Sequence, residues 1–273
     1  MIKLIDILKK IRVDESIVKV PQEALSKSGE IYDYVSKNLE NLKSKSKERK
    51  DDNPYMDSKF KDYFKLKDLK GQDIKVSVGF YDDPKSGGAA LDPQKDFLLF
   101  NLAFDIDKEF IEDTIEHELV HAMDPKLKDI QIYQSVAKKG GQYGGSKLNV
   151  SKSGGKSEFE KNYERYLKSP WEFDAFTTPL VNKLVFNIKK SPNYKNILIN
   201  LLSDIKTKSI DDVLKDKKYE KIPYFFSKKE WTSENYPSIE QEFKFELEKI
   251  KIWSTKPTLY KRFISRLGKE LIS

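Results

Sequence analysis

The chain is short of the residues that most protein metal and redox sites use. Its 273 residues include no cysteine and only two histidines. Without thiols, neither a disulfide framework nor a cysteine-ligated zinc finger or ribbon can form. Any transition-metal site must therefore be built from the two histidines and from carboxylates.

Arginine is also scarce, because only five of the 51 basic residues are arginines. The net charge of +7 therefore comes mainly from lysine. Lysine does not recognise bases or phosphates in a bidentate manner, and basic and acidic residues alternate along the chain instead of forming a basic block. We therefore expect no specific nucleic-acid partner.

Long apolar runs are absent as well, and no stretch approaches the roughly 18 consecutive apolar residues of a membrane span. The opening segment Met1–Ile11 has apolar residues at helical spacing, and Asp6 interrupts its apolar run, which argues against a secretory signal. We expect no membrane partner and a cytoplasmic location.

Periodicity and composition favour an α+β fold in three parts. Residues 1–70 are predicted to form a charged, helical extension, residues 71–205 a core with a small mixed or antiparallel sheet packed on a helix, and residues 206–273 a helical C-terminal segment. Alternating apolar residues predict a strand at Asp73–Phe80, and the nearly continuous apolar run Phe97–Phe104 predicts a second strand that is covered on both faces. The proline- and glycine-containing segment Asp82–Pro93 between them is typical of a loop.

A capped helix is predicted from Asp105 or Asp107 to Met123, where Asp124-Pro125 ends it. Half of the glycines lie from Gly140 to Gly155, which predicts a long loop beyond this helix. Five further helices are predicted at Trp171–Ile188, Tyr194–Leu202, Ile210–Leu214, Ser238–Ile252 and Pro257–Leu271.

Both histidines lie on the capped helix, in the segment IEHELVH at positions 115–121, with the pattern His-Glu-x-x-His. Positions four apart share one face of a helix, so the imidazoles of His117 and His121 can bind one metal ion while Glu118 projects beside them. Two neutral imidazoles and a carboxylate leave zinc a position for water, whose pKa the ion lowers to about 7. The pattern therefore predicts a single Zn²⁺ site with Glu118 as the catalytic general base.

With this motif, the segment from Phe97 to Asp124 resembles the core of the zincin metallopeptidases. In that family an edge strand beside the active-site helix holds the substrate backbone by strand addition, and the resemblance implies Phe97–Phe104 as that strand. Metzincins have a third histidine, which is missing here, and the inverted motif has another residue order. The resemblance therefore points to gluzincin-like enzymes, in which a glutamate from a second helix completes the site.

The segment SPWEFDAF at positions 169–176 is similar to the E-x-[ED]-A helix of several gluzincin-like families. Carried over by position, Glu172 is the third zinc ligand, and Asp174 is the next candidate. The remaining candidates are Glu158, Glu160 and Glu164. A glutamate in the first turn after Pro170 would also complement the helix dipole, and the two roles are compatible.

The resemblance implies two further roles. Similar H-E-x-x-H-x-x-D motifs in some gluzincin-like enzymes imply that Asp124 orients a ligand histidine, and a cap at the helix end is the alternative. A tyrosine is expected to donate a hydrogen bond to the oxyanion, for which Tyr166 is the candidate and Tyr163 and Tyr143 are alternatives.

These patterns predict a zinc-dependent endopeptidase that acts on a protein or peptide substrate. The alternative is a zincin-like structural or assembly protein in which the metal only joins two helices. The opening of the chain also resembles those of tailed-phage virion proteins, which implies virion or assembly partners and a virion-associated location.

Overall fold

The computed structural model describes residues 19–48, 54–83, 88–92, 96–103, 108–125, 164, 166–227 and 236–272. The α-helices are α1 (Gln22–Lys47), α2 (Lys108–Met123), α3 (Pro170–Lys190), α4 (Lys195–Thr207), α5 (Ile210–Lys215), α6 (Tyr236–Ser254) and α7 (Pro257–Ile272). Strands occupy β1 Phe64–Lys67, β2 Asp73–Tyr81, β3 Ala89–Asp92 and β4 Phe97–Asn101. The fold is therefore α+β. The chain divides into two compact units, and the boundary between them in the sequence lies between Ala175 and Phe176, within α3.

The first unit contains a mixed four-stranded sheet in the order β1-β2-β4-β3. The central pair β2 and β4 is parallel, and the outer strands β1 and β3 are antiparallel to their neighbours. Alternate side chains of the central strands face one core because successive strand residues point to opposite sides. These buried side chains are Ile74, Val76, Val78, Phe80, Leu98 and Phe100.

Helices α1 and α2 contribute to this same hydrophobic core. Their buried residues recur at spacings of three and four, which gives each helix an apolar stripe. On α1 the stripe includes Ile31, Val35 and Leu42, and on α2 it includes Ile111, Ile115 and Leu119. The first unit therefore includes α1 and β1, both of which fall in the part expected to be a separate extension.

The strand predictions need three corrections. Within residues 1–70, which were predicted to be helical, α1 ends at Lys47 and Phe64–Lys67 forms β1 with its apolar residues buried. The predicted loop contains β3, an alanine-containing strand of low intrinsic propensity that its pairing with β4 stabilises. The segment predicted as Phe97–Phe104 is a strand only as far as Asn101, and it lies inside the sheet, whose edge strands are β1 and β3.

A tight turn between β1 and β2 caps the end of α2. The carboxylate of Asp68 accepts hydrogen bonds from the backbone N–H groups of Lys70 and Gln72, both at 2.8 Å. The N–H of Leu69 donates to the carbonyl of Met123, the last residue of α2, at 3.0 Å. Gly71 adopts a φ of +83° in this turn, a conformation that a residue with a Cβ adopts only with strain.

We expect Gly71→Ala to lower the free energy of unfolding by about 1 kcal/mol, because its positive φ disfavours a Cβ even though no atom lies within 4 Å of it. Gly29→Ala is the matched control in the middle of α1, where the nearest atom to the added Cβ is Lys108 Cε at 3.6 Å. It should raise the free energy by about 0.5–1 kcal/mol, because alanine is the better helix former. Urea unfolding measures both changes, and equal changes in the two variants would contradict this account.

The second unit is helical and confirms the helices predicted beyond Trp171, with their ends shifted by a few residues. Lys251 connects two helices of this unit, α6 and α4. Its Nζ donates hydrogen bonds to the carbonyls of Ile205 at 2.8 Å and Lys208 at 2.9 Å, at the end of α4. Among the described helices, none combines the length and the apolar character needed to cross a membrane. The predicted opening helix, the caps Asp105 and Asp107 and the glycine-rich loop lie outside the described residues.

Candidate metal centre and active site

Helix α2 presents both histidines one turn apart. The Nε2 atoms of His117 and His121 are 3.2 Å apart, and the two rings meet nearly at right angles. The buried stripe of α2 is anchored in the sheet core, so the imidazoles have a rigid base. His117, Glu118 and His121 are each only 8% exposed, and they form a nearly enclosed site.

The first turn of α3 brings Glu172 to the histidines. Pro170 begins this helix, and the Ser169 Oγ accepts a hydrogen bond from the Glu172 N–H at 3.4 Å, which is the arrangement of an N-cap. Glu172 is fully buried, with Oε2 3.2 Å from the Nε2 of His117 and Oε1 3.4 Å from the Nε2 of His121.

A small side chain, Ala175, lies one turn after Glu172 on α3. Ala175 is fully buried in the same hydrophobic cluster as Ile115 and Leu119 of α2. The carboxylate therefore reaches the histidines from a second helix.

This geometry fits a tetrahedral metal ion. Zinc bonds of about 2.0–2.1 Å to nitrogen and oxygen place neighbouring tetrahedral ligands about 3.3 Å apart. The two Nε2 atoms are 3.2 Å apart, and each of them lies 3.2–3.4 Å from a different oxygen of the Glu172 carboxylate, which is close to that value. Among the described residues, His117, His121 and Glu172 form a group of side chains whose ligand atoms lie close enough together to hold one metal ion.

The charges and lone pairs of the site favour a positive charge at its centre. Two imidazole nitrogens and a buried carboxylate converge there, and such an arrangement of acceptors is costly unless a cation or a proton neutralises it. Burial lowers the pKa of His121, but the charge and hydrogen bond of Glu172, together with the charges of Glu118 and Asp124, outweigh burial and raise that pKa to about 9. Burial raises the pKa of Glu172, but the two histidines outweigh it and hold the pKa well below its usual range.

The other predicted acids occupy different places. Asp174 is half-buried and is not part of the group of ligand atoms around the histidines. Asp124 follows α2, its N–H donates to the carbonyl of His121 at 3.1 Å, and its charge contributes to the raised pKa of His121. Glu164 forms an ion pair with Lys168 at 3.4 Å. Glu158 and Glu160 lie outside the described residues.

The tyrosine predictions remain open. Tyr166 lies four residues before α3, is half-buried, and its carbonyl accepts a hydrogen bond from the N–H of Ser169 at 3.0 Å. Tyr143 and Tyr163 fall outside the described residues. The role of Tyr166 as oxyanion donor stays a prediction.

The edge strand β3 runs beside the active-site helix. Its Ala89 and Leu91 side chains pack against the core. The N–H of Asn101 donates to the carbonyl of Gly88, so antiparallel alternation directs the backbone groups of Ala89 and Leu91 to the outer side of β3. No described strand pairs with that side.

Sequence reasoning did not single out Tyr81 and Asn101, which end two neighbouring strands. Tyr81 ends β2, and the sheet register places it beside Asn101, which ends β4. Burial, followed by the negative charges of Asp83 and Glu118, raises the pKa of Tyr81 to about 12. The sequence feature that could have identified them is a polar residue at the end of each of two apolar strands. Such residues have no distinctive spacing.

Comparison of the chain with protein-family models, curated proteins and solved structures finds no match. The functional interpretation therefore depends on the geometry of the site.

Proposed function

We propose that the chain is a zinc-dependent metallopeptidase with a zincin-like, gluzincin-type active site. The observation that carries this proposal is the convergence of His117, His121 and Glu172, from two helices, to separations of 3.2–3.4 Å. The placement of Glu118 within the His-Glu-x-x-His turn supports hydrolysis as the purpose of the site.

The three ligands would hold one Zn²⁺ ion. When bound, zinc supplies Lewis acidity, which polarises a carbonyl group and lowers the pKa of water to about 7. Glu118 accepts the proton of the attacking water and returns it to the departing amine. Its 8% exposure keeps bulk water away and strengthens each charge interaction. Asp124 supports the position of His121 from the end of α2.

The outer side of β3 supports a peptide as the substrate. Its outward backbone groups at Ala89 and Leu91 match the pairing positions of an extended chain, which would add a strand to the sheet. This replaces the predicted role of Phe97–Phe104, because that segment is already paired on both sides. Binding through backbone groups requires an extended substrate segment but little side-chain selectivity.

A structural role for the metal is the competing proposal. The same three ligands join α2 to the start of α3, and Glu172 is fully buried, which suits a site that only links two helices. In that case zinc would raise the thermal stability of the chain without any hydrolysis. Virion or assembly partners belong to this alternative.

Metal removal separates the two proposals. We expect the zinc-loaded chain to cut denatured casein, dialysis against a chelator to abolish cutting, and one equivalent of Zn²⁺ to restore it. Mass spectrometry of the products should identify new internal peptide termini. Zinc-dependent stability with intact casein would instead support the structural role and overturn the peptidase proposal.

A further inference from the structure

The turn between β1 and β2 contacts the end of the helix that carries both histidines. It spans residues 68–72 and joins two strands whose Leu66 and Ile74 side chains are buried in the sheet core. The N–H of Asp68 donates to the carbonyl of Gln72 at 2.8 Å, which closes the base of the turn. The turn is therefore a firmly held part of the sheet.

The carboxylate of Asp68 sets the backbone conformation of this turn. It is 7% exposed, and its Oδ1 accepts hydrogen bonds from the N–H groups of Lys70 and Gln72, both at 2.8 Å. The N–H of Gly71, which has a positive φ, donates to the Asp68 carbonyl at 2.9 Å. All the N–H groups of the turn except that of Leu69 are thus bonded within it, and Leu69 donates to α2 instead.

The end of α2 depends on a donor from outside the helix. The last carbonyl groups of a helix have no partner within it, and Pro125 cannot supply one because it has no N–H. The N–H of Asp124 donates to the carbonyl of His121 at 3.1 Å, and the N–H of Leu69 donates to that of Met123 at 3.0 Å. The turn between β1 and β2 therefore secures the last residue of α2.

His121 is the metal ligand that lies nearest this helix end. It precedes Met123 by two residues, so it belongs to the last turn of α2. Its Nε2 meets the Nε2 of His117 at 3.2 Å and the Oε1 of Glu172 at 3.4 Å only while that last turn stays helical. Opening of the last turn would remove one of the three ligands from its place.

We propose that Asp68 is a positioning residue for the metal site. Through the Leu69 N–H it keeps the last turn of α2 closed, so that His121 is already in place when zinc arrives. This inference rests on the zinc site of the proposed function. Asp68 is outside the group of ligand atoms around the histidines, so it acts through the conformation of the metal-free chain.

The size of the effect follows from that conformation. When only a fraction of the metal-free chains has the binding conformation, the apparent affinity for the metal falls by that fraction. If removal of the carboxylate leaves the last turn closed in about one chain in ten, zinc binds about tenfold more weakly. Bound zinc closes the turn again, because it binds the closed form better.

The first test is the zinc affinity of the full-length chain and its Asp68 variants, titrated against a chromophoric chelator. Asp68→Ala removes both bonds to the turn and should weaken zinc binding about tenfold. Asp68→Asn keeps an oxygen that accepts from both N–H groups and should stay within about twofold of wild type. Equal losses in the two variants would show that the charge of Asp68 matters and not its hydrogen bonds, which would overturn the proposal.

Asp57→Ala is the matched control for a general loss of stability. The Oδ1 of Asp57 accepts from the N–H of Lys59, two residues further on, at 3.0 Å, as that of Asp68 does from Lys70. It caps the short helical turn Ser58–Phe60 and not the end of α2. Asp57→Ala should lower the thermal stability of the metal-free chain and leave zinc affinity within about twofold. A tenfold loss of affinity in this control as well would overturn the proposal.

Hydrogen exchange of the metal-free chain tests the proposed conformation itself. In Asp68→Ala, the backbone amides of a peptide that covers His121–Met123 should exchange about tenfold faster than in wild type, and zinc should restore their protection. Weaker zinc binding with unchanged exchange would overturn the proposal. Gly71→Ala strains the same turn through its backbone, so it should also speed this exchange and weaken zinc binding a few-fold, and it decides the question if Asp68→Ala does not fold.

The possible failures are distinguishable. A wild-type chain that binds no zinc would overturn the metal site and with it the role of Asp68. A wild-type chain that binds one zinc ion, with Asp68→Ala or, if that variant does not fold, Gly71→Ala at wild-type affinity, would overturn the role of Asp68 alone. Peptide cleavage is not measured in these experiments, so their outcome is the same whether the zinc is catalytic or structural.

Discussion

Glu118→Gln is expected to lower peptide hydrolysis by at least about 10³-fold, because the amide cannot accept the proton of the attacking water. The substitution preserves the size of a side chain that is 8% exposed, and it leaves all three proposed ligands in place. The variant should therefore retain about one zinc ion per chain. Cleavage of denatured casein and elemental analysis of the same preparation measure the two effects.

Glu112→Gln is the matched control for this result. Glu112 belongs to the same helix and is half-buried, and it is outside the group of ligand atoms around the histidines. The same chemical change at that position should leave both cleavage and zinc content close to wild type. Hydrolysis at the wild-type rate by Glu118→Gln would show that Glu118 is not the general base.

The second large effect is expected from Glu172→Ala, which should weaken zinc binding by more than about 100-fold, because two histidines without a third protein ligand make a poor zinc site. The variant also leaves the two buried imidazoles without the carboxylate that lies 3.2 and 3.4 Å from them. Titration with Zn²⁺ against a chromophoric chelator measures the affinity.

Asp174→Ala provides the comparison on the same helix. Asp174 is half-buried and is not grouped with the histidines, so its removal should leave zinc affinity within a few-fold of wild type. Loss of zinc in Asp174→Ala with retention in Glu172→Ala would reverse the assignment of the third ligand. Loss in neither would show that zinc binds elsewhere.

Local pattern explains why part of the site could be predicted. His117 and His121 belong to one helical turn, so their shared direction follows from helix geometry alone. Glu172 lies far along the chain, and only the family resemblance singled it out from the other acids. The short distances from Glu172 to the histidines depend on the tertiary position of the first turn of α3, which no local pattern encodes.

The sheet was predicted less completely for a similar reason. The strong alternation of β2 identified it, whereas β3 consists partly of alanine and lies between proline and glycine residues. Its strand conformation comes from pairing with β4, which is a tertiary effect. The relation of Tyr81 to Asn101 likewise depends on the register of two strands that are separated in sequence.

The most direct test of the central claim is the rate of peptide cleavage as Zn²⁺ is added to metal-free wild-type chain. If one ion held by His117, His121 and Glu172 makes the site active, the rate should rise in proportion to bound zinc and level off at about one equivalent. A metal-free chain that already cleaves the peptide, or a chain that binds one zinc tightly and cleaves nothing, would contradict this account.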